Sequence, residues 1–229
     1  MTVDAFRQIS ADQAAAPTEP PPDCPLCPRL AAFRQEWRTR EPDWFNSPVP
    51  AFLPVDGPDA VRIAIVGLAP GLRGANRTGR PFTGDYAGDL LYRTLARFGF
   101  ANDRFDARVD DGLELYDLAI VNSVRCVPPE NKPTGAEINT CRQFLVPNLA
   151  TFGNLSAIVT LGRIAHESAV RALGAKPSAA PFSHGGEHEI GGLRLFSSYH
   201  CSRYNTNTGR LTEEMFTSVF AAAAAFLGK

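Results

Sequence analysis

The chain has 229 residues, of which 44% are hydrophobic and 21% are charged. A chain of this length can bury a full core without disulfide bonds, and it contains no apolar run near the roughly 18 residues that a membrane helix needs. Its 23 basic and 24 acidic side chains nearly cancel, which excludes nucleic-acid binding through global charge and leaves only a local basic face.

Residues 1–23 combine alanine and glutamine with a proline cluster, a composition typical of a mobile tail. They lack the basic-then-apolar order of a signal peptide, so we expect a cytoplasmic protein without a membrane partner. Residues 24–229 are expected to form a single domain.

Five cysteines, an odd number, argue against a secreted disulfide framework. Cys24 and Cys27 have a two-residue spacing that lets two thiolates reach one metal centre, and Cys126 and Cys141 supply a possible second pair. Four thiolates can hold zinc or a [4Fe–4S] cluster, and the spacing alone does not separate the two. The alternative is four independently buried thiols. We interpret Cys201 as a small buried hydrophobe outside this site.

The segment after the first cysteine pair predicts a helix, because Leu30, Phe33 and Trp37 recur at helical spacing. Pro42 ends this helix, since proline cannot continue it. Residues 47–60 contain four prolines and are expected to form a loop.

From residue 61 onward, short apolar runs alternate with amphipathic segments. Such alternation predicts an α/β fold with three αβα layers, in which helices cover both faces of a central, mainly parallel four-stranded sheet. The predicted strands are 61–66, 117–121, 156–161 and 193–197, and the predicted helices are 88–100, 134–152, 163–173 and 212–227, with Thr134 and Glu137 as a capping box.

Ligands of such folds bind beyond the carboxyl ends of the strands, and the unusual residues of this chain fall there, in segments 67–85, 122–133 and 199–210. The turn 67–71 matches neither the dinucleotide pattern nor the P-loop pattern. A nucleotide-binding regulator with a Rossmann-like sheet is therefore the weaker alternative. The turn instead indicates a place where backbone amides approach a ligand.

The next part of this segment carries three arginines among three glycines, with Phe82 near its end. An aromatic platform with basic neighbours suits a planar base and its phosphates, whereas the alternative is an exposed flexible loop. Asn122 could bind a base edge or cap a turn. His200 could be structural, but its strand delivers it to the same edge of the sheet as Gly67 and Asn122.

Taken together, these segments resemble the uracil-DNA glycosylases of the iron–sulfur type, and within them family 5, also called type B. The similarity covers residues 24–215, and the four cysteines fall in the family's order. The motifs that carry it are 67–71 with 76–85, 122–129 with 131–133, and 200–212.

The resemblance implies hydrolysis of the N-glycosidic bond of uracil, and of other deaminated bases such as hypoxanthine, in single- or double-stranded DNA. The product is an abasic site. It implies a monomer with the fold of these glycosylases and a structural [4Fe–4S] cluster on Cys24, Cys27, Cys126 and Cys141, with zinc as the alternative.

The resemblance also implies a role for each residue of the site. His200 would donate a hydrogen bond to uracil O2, Phe82 would stack on the flipped base, and Asn122 would bind the base edge. The pocket would be lined by Gly67, Leu68, Ala69 and Gly71, and the DNA would be held by Arg203, Tyr204 and Asn205.

Leu68 departs from the family 4 relatives, which carry an acidic residue there to position the attacking water. Asp85 and Asn76 are the candidates for that task, although Asp85 could instead cap the helix that begins near Gly88. If Leu68 marks lost catalysis, the alternative is a non-catalytic iron–sulfur or zinc module that binds DNA.

Overall fold

The computed structural model of the chain describes residues 17–229. Residues 1–16 of the tail predicted over 1–23 therefore lie outside the described residues. In the part that follows, the Glu19 carboxylate pairs with Arg125 at 2.9 Å and accepts a hydrogen bond from the amide of Ala51. These contacts hold this part of the predicted tail against the domain.

The fold class is confirmed: helices cover both faces of a mainly parallel sheet. Among the described residues the sheet has five strands rather than the predicted four, in the order β2-β1-β3-β5-β4. The strands are β1 (Ile63–Gly67), β2 (Leu118–Asn122), β3 (Ala157–Leu161), β4 (Glu187–Ile190) and β5 (Leu193–Ser198).

The additional strand, β4, pairs antiparallel with β5 at the edge of the sheet. Three of its four residues, Glu187 to Glu189, are polar and at least partly exposed. An edge strand that faces solvent needs no apolar run, so the pattern that marked the buried parallel strands is missing here.

The helices are α1 (Pro28–Arg40), α2 (Ala75–Thr78), α3 (Tyr86–Arg97), α4 (Gly135–Ala150), α5 (Arg163–Ala172), α6 (Arg203–Asn207) and α7 (Glu213–Leu227). The capping box of Thr134 and Glu137 is confirmed at the start of α4. The short helices α2 and α6 were not predicted, because each spans at most five residues of a loop. Within residues 17–229, no helix is long and apolar enough to cross a membrane.

Two hydrophobic cores lie on opposite faces of the sheet. Along β1, Ile63 and Ile65 point to the core under α3 and α7, whereas Ala64 and Val66 point to the core under α4 and α5. Successive side chains of a strand point to opposite faces, and all five residues of β1 are therefore buried. This packing fixes the carboxyl ends of β1, β2 and β5, from which the loops of the site extend.

Candidate active site

A cavity of about 390 Å³ opens among the loops that follow β1, β2 and β5. The cavity therefore lies at the edge of the sheet where the sequence predicts that a ligand binds. Of the residues predicted for the site, those that line this cavity are Leu68, Ala69, Gly71, Phe82, Asp85, Asn122, His200 and Arg203. Gly67, Asn76 and Asn205 lie outside its lining.

Gly67 allows the close approach of two cavity side chains. A Cβ atom at this position would lie 2.4 Å from Asn122 Oδ1 and 3.0 Å from Phe82 Cζ. Phe82 has a φ of 51°, in the left-handed region that a bulky residue rarely adopts. Its ring packs 5.9 Å from the His200 ring at an interplanar angle of 29°. The backbone thus holds the aromatic ring in one orientation between Gly67 and His200.

Asn122 ends β2 with only 3% of its surface exposed. Its Oδ1 atom is buried and has no hydrogen-bond partner within the described part of the chain. The alternative of a turn cap therefore finds no support in its contacts. Leaving a buried acceptor unpaired costs about 1–3 kcal/mol, which points to a ligand as the missing partner.

His200 follows β5 and faces the cavity as a neutral imidazole. Desolvation lowers the pKa of His200 to about 4, and neither ring nitrogen has a hydrogen-bond partner among residues 17–229. One ring N–H is therefore available to a bound molecule. Asn205 acts on the backbone of this residue, because its Nδ2 atom donates to the His200 carbonyl at 2.8 Å.

Asp85 is both a helix cap and a cavity residue. Its Oδ1 atom accepts a hydrogen bond from the Gly88 amide at 3.3 Å, so the predicted alternative of a cap for α3 is confirmed. Its Oδ2 atom lies against Gly71 and Gly74, where a Cβ atom would be 3.0 Å and 2.5 Å away. Burial raises the pKa of Asp85, and the amide hydrogen bonds of α3 act in the opposite direction.

Asn76 is buried in α2, and its Nδ2 atom donates to Asn46 Oδ1 at 2.8 Å. Its Oδ1 atom has no partner among the described residues. Because Asn76 is absent from the cavity lining, its side chain contacts the adjacent loop instead of the space a ligand would fill.

The sequence predicted that the arginines of the loop between Gly71 and Asp85 are basic neighbours of a ligand, but they do not all serve in this way. Arg80 is only 6% exposed and binds both carboxylate oxygens of Asp111, at 2.9 and 2.7 Å. Its Nε atom donates to Thr83, next to Phe82. Arg80 therefore anchors the loop, and only Arg73 and Arg77 remain exposed.

The four cysteines of the predicted metal site surround one small cavity, with Leu30, Val124 and Phe144. Arg34 Nη1 lies 3.4 Å from Cys126 Sγ, and the Arg125 amide donates to Cys141 Sγ at 3.3 Å. Among the described residues, no three His, Cys, Asp or Glu side chains are grouped closely enough for a single metal ion.

Burial raises the pKa of Cys126 to about 12 and that of Cys141 to about 11. Without a metal these thiols are protonated at neutral pH, and metal binding would deprotonate them. Cys201 is fully buried and apart from the four, with its Sγ atom 3.5 Å from the Ala87 carbonyl, as the sequence predicted.

A second cavity, of about 270 Å³, shares Leu68 and His200 with the first. Three exposed arginines around the two cavities have guanidinium groups stacked on aromatic rings, and none forms an ion pair within residues 17–229. The pairs are Arg203 on Tyr86 at 5.3 Å, Arg210 on Tyr199 at 4.6 Å and Arg163 on Phe182 at 5.4 Å.

Arg163 and Arg210 were missed by the sequence analysis. The position of Arg163, directly after β3, is a signal that the rule of strand carboxyl ends could have used. The stacking partner of Arg210 depends on the tertiary fold, so no local signal marks it.

Comparison with known proteins gives one family. A family model described as the uracil DNA glycosylase superfamily matches residues 54–224. A type-5 uracil-DNA glycosylase of Thermus thermophilus is 43% identical over 212 residues, which cover 90% of this chain and 94% of that protein. Proteins of the same name from Pyrobaculum aerophilum and Mycobacterium tuberculosis are 38% and 40% identical over 90% of this chain, and the matches cover 90% and 78% of those proteins.

Proposed function

Since the chain belongs to the uracil-DNA glycosylase superfamily, we propose that it hydrolyses the N-glycosidic bond of uracil in DNA and leaves an abasic site. The observation that carries this proposal is the cavity in which an aromatic ring, an unpaired amide and a neutral imidazole converge: Phe82, Asn122 and His200. This is the donor and stacking set that a flipped pyrimidine requires.

His200 supplies the electrostatic part of the reaction. Cleavage of the bond produces an oxocarbenium-like sugar and an anionic base, so the barrier falls when a donor stabilises the charge on the leaving base. The neutral imidazole donates its N–H to uracil O2 as that charge develops. Because this interaction strengthens in the transition state, it accelerates the step instead of only tightening binding.

Phe82 and Asn122 hold the base. Stacking on an aromatic ring contributes about 1–3 kcal/mol per base. The Asn122 amide, which has a buried oxygen without a partner, completes its hydrogen bonds on the edge of uracil. The close packing at Gly67 keeps both groups in one place, so little conformational entropy is lost when the base enters.

Asp85 directs the water, since Leu68 at the wall of the cavity has no polar group. Its Oδ2 atom is directed toward Gly71, in the lining, while Oδ1 is held by α3. A carboxylate there orients water and stabilises the cationic sugar. We assign this role to Asp85 in preference to Asn76, whose amide donates to Asn46 outside the lining. A site built on leaving-base stabilisation also accepts hypoxanthine.

The stacked arginines hold the DNA backbone on both sides of the cavity. Arg163, Arg203 and Arg210 are exposed and held in place by aromatic rings, so their guanidinium groups are oriented before phosphate binds. Tyr204, 72% exposed at the start of α6, fills the space that the flipped nucleotide leaves in the duplex.

The residues of the cysteine cavity fit a [4Fe–4S] cluster, held by Cys24, Cys27, Cys126 and Cys141. Four thiols face one space, and N–H groups are directed at two of the sulfur atoms. When bound, the cluster supplies a structural crosslink between the segment before α1 and the loop after β2. Zinc is the alternative for the same ligands.

A non-catalytic metal module that binds DNA is the second candidate, and the observation that favours it is Leu68 in the cavity lining. The two candidates differ in a simple assay. The protein is incubated with an oligonucleotide that contains one uracil, and the abasic sites are cleaved by alkali. If the protein is a glycosylase, the oligonucleotide is cleaved at uracil, and a control with thymine at that position stays intact. If it is a binding module, the oligonucleotide is shifted in gel mobility but is not cleaved.

A further inference from the structure

Arg34 is a buried cation beside the cysteine cavity. It lies on α1 with 4% of its surface exposed. Its Nη1 atom is 3.4 Å from Cys126 Sγ, and Nη2 donates to the Cys24 carbonyl at 3.0 Å. Its Nε atom is buried without a partner, and the guanidinium forms no ion pair with a carboxylate in the described part of the chain.

The carboxylates closest to this region already have cationic partners. Asp23 binds Arg38, Glu137 binds Arg29 at 2.7 Å, and Glu19 binds Arg125 at 2.9 Å. None of these carboxylates forms an ion pair with Arg34, and the one that its charge reaches, the exposed Asp23, is hydrogen-bonded to Arg38 instead. Burying a charge without a counter-charge is strongly destabilising, so a compensating anion is expected on the side where the guanidinium points.

We propose that Arg34 is the counter-cation of the metal centre and a binding residue for it. The inference rests on the proposed function, in which the four cysteines hold that centre. Four thiolates outweigh the charge of a [4Fe–4S] core, or of zinc, and leave the centre negative. Arg34 faces the Cys126 sulfur of this anion, whereas the charge of the nearby Arg125 is balanced by Glu19.

The two contacts of Arg34 also join the two halves of the ligand set. One reaches the Cys24 carbonyl in the segment before α1, and the other reaches Cys126 in the loop after β2. A planar guanidinium can serve both acceptors at once, but a lysine ammonium is a single point charge on a flexible stem. Arg34→Lys therefore keeps the charge and loses part of the bridge, and Arg34→Gln loses both.

The test measures iron affinity by competition with a chelator, and the midpoint reduction potential of the bound centre, in purified full-length protein. Arg34→Gln should lower metal affinity about 10- to 100-fold, as the loss of a group that hydrogen-bonds to a metal ligand does, and should shift the potential to a more negative value. Arg34→Lys should bind iron with intermediate affinity and keep a potential near that of the unchanged protein. Arg40→Gln, an exposed position on the same helix paired with Glu36, should change neither quantity.

Unchanged affinity and potential in Arg34→Gln would overturn the proposal. So would equal potential shifts in the Lys and Gln variants, because charge would then not be the cause. If Arg34→Gln yields no soluble protein, Arg34→Lys decides alone: affinity equal to that of the unchanged chain overturns the bridge. An unchanged chain that binds no metal after supply of iron and sulfide would instead refute the proposed cofactor, and uracil release is scored separately.

Discussion

Buried polar groups in folded proteins are almost always hydrogen-bonded, and the Asn122 oxygen departs from that rule. At the same cavity the half-buried His200 has no partner for either ring nitrogen among the described residues. Asn122 ends β2 and His200 closely follows β5, so the sheet fixes their positions, and Gly67 leaves no room for a larger residue beside Asn122 and Phe82. The unsatisfied groups are therefore held rigidly, which is the preorganisation that transition-state stabilisation needs. A ligand edge with a donor for the Asn122 oxygen and an acceptor for the His200 N–H satisfies both.

His200→Ala should lower uracil excision by at least about 10²-fold, because one donor to a developing oxyanion is worth about that much in rate. DNA affinity should stay nearly unchanged, since the donor acts mainly in the transition state. Single-turnover excision and equilibrium DNA binding measure the two effects. His188→Ala, outside both cavity linings, serves as the control. Equal losses of rate and affinity would make His200 a structural or phosphate-binding residue.

Asp85→Asn separates the cap from the chemistry, because asparagine caps helices as well as aspartate does. The variant should keep its melting temperature and lose excision of uracil and hypoxanthine alike, whereas Asp85→Ala should also lose about 1 kcal/mol of stability. Asn76→Ala should have a smaller or comparable effect on excision. Near-normal turnover in Asp85→Asn would leave Asp85 as a cap alone.

The pH dependence of excision should report the same carboxylate. Burial raises the pKa of Asp85, and His200, with a pKa of about 4, stays neutral above that pH. The excision rate should therefore fall as the pH drops through the raised pKa of Asp85, since the carboxylate is needed in its charged form. This acid limb should be absent from the residual activity of Asp85→Asn.

Among the helices and strands, the sequence predicted the ones that are marked by a pattern within their own residues. The apolar runs gave the four buried strands, and the Thr134–Glu137 pair gave the start of α4. The polar edge strand β4 escaped, because its position is set by pairing with β5 and not by its own composition. The ion pair of Arg80 with Asp111 escaped for the same reason: the partners are 31 residues apart and meet only in the folded chain.

In the candidate site, too, the sequence indicated some features, and others depend on the folded chain. The sequence and the family resemblance assigned His200, Phe82, Asn122 and Asp85 to one site, because Asn122 ends a strand and the other three lie in loops that follow strands. The sequence offered the helix cap and the water-positioning role of Asp85 as alternatives, and did not show that one oxygen caps α3 while the residue also lines the cavity. Nor did it show that Asn205 donates to the backbone of His200. Such contacts depend on side-chain geometry, which no spacing of residues specifies.

Asp111→Asn should destabilise the protein by about 3–5 kcal/mol, because it leaves the buried Arg80 without its counter-charge. Urea denaturation measures the loss, and Asp110→Asn, at an exposed neighbour, should cost little. Burial opposes ionisation of Asp111, but hydrogen bonds from Arg80 and backbone amides outweigh it and hold its pKa well below the usual range. The stability difference should therefore shrink as the pH falls below about 4, where unfolded aspartates take up protons.

At the scale of the whole molecule, the cysteine cluster and the cavity share a wall. Leu68 and Ala69 pack against the cluster core and also line the cavity. The loop after β2 carries Asn122 at its start and Cys126 four residues later. The metal centre that we propose on the four cysteines would therefore brace the segments that carry the base-binding groups.

Single Cys→Ala changes at Cys24, Cys27, Cys126 and Cys141 should each lower iron content and the yield of soluble protein, because each removes one ligand of a shared centre. Cys201→Ala should retain full iron, as its sulfur lies apart from the four. Iron and acid-labile sulfide per chain are the measurements, and zinc is quantified in the same samples. Full iron in Cys126→Ala would refute the four-cysteine centre.

Hydrolysis of the bond between uracil and deoxyribose yields two products, free uracil and an abasic site, and both can be counted in one turnover. Excess protein is mixed with DNA that contains one uracil, and free uracil and alkali-labile sites are quantified over time. We expect free uracil and alkali-labile sites to appear together, in equal amounts and with one rate constant. Thymine-containing DNA should yield neither product. Tight binding of the uracil-containing DNA without release of free uracil would contradict the proposed hydrolysis.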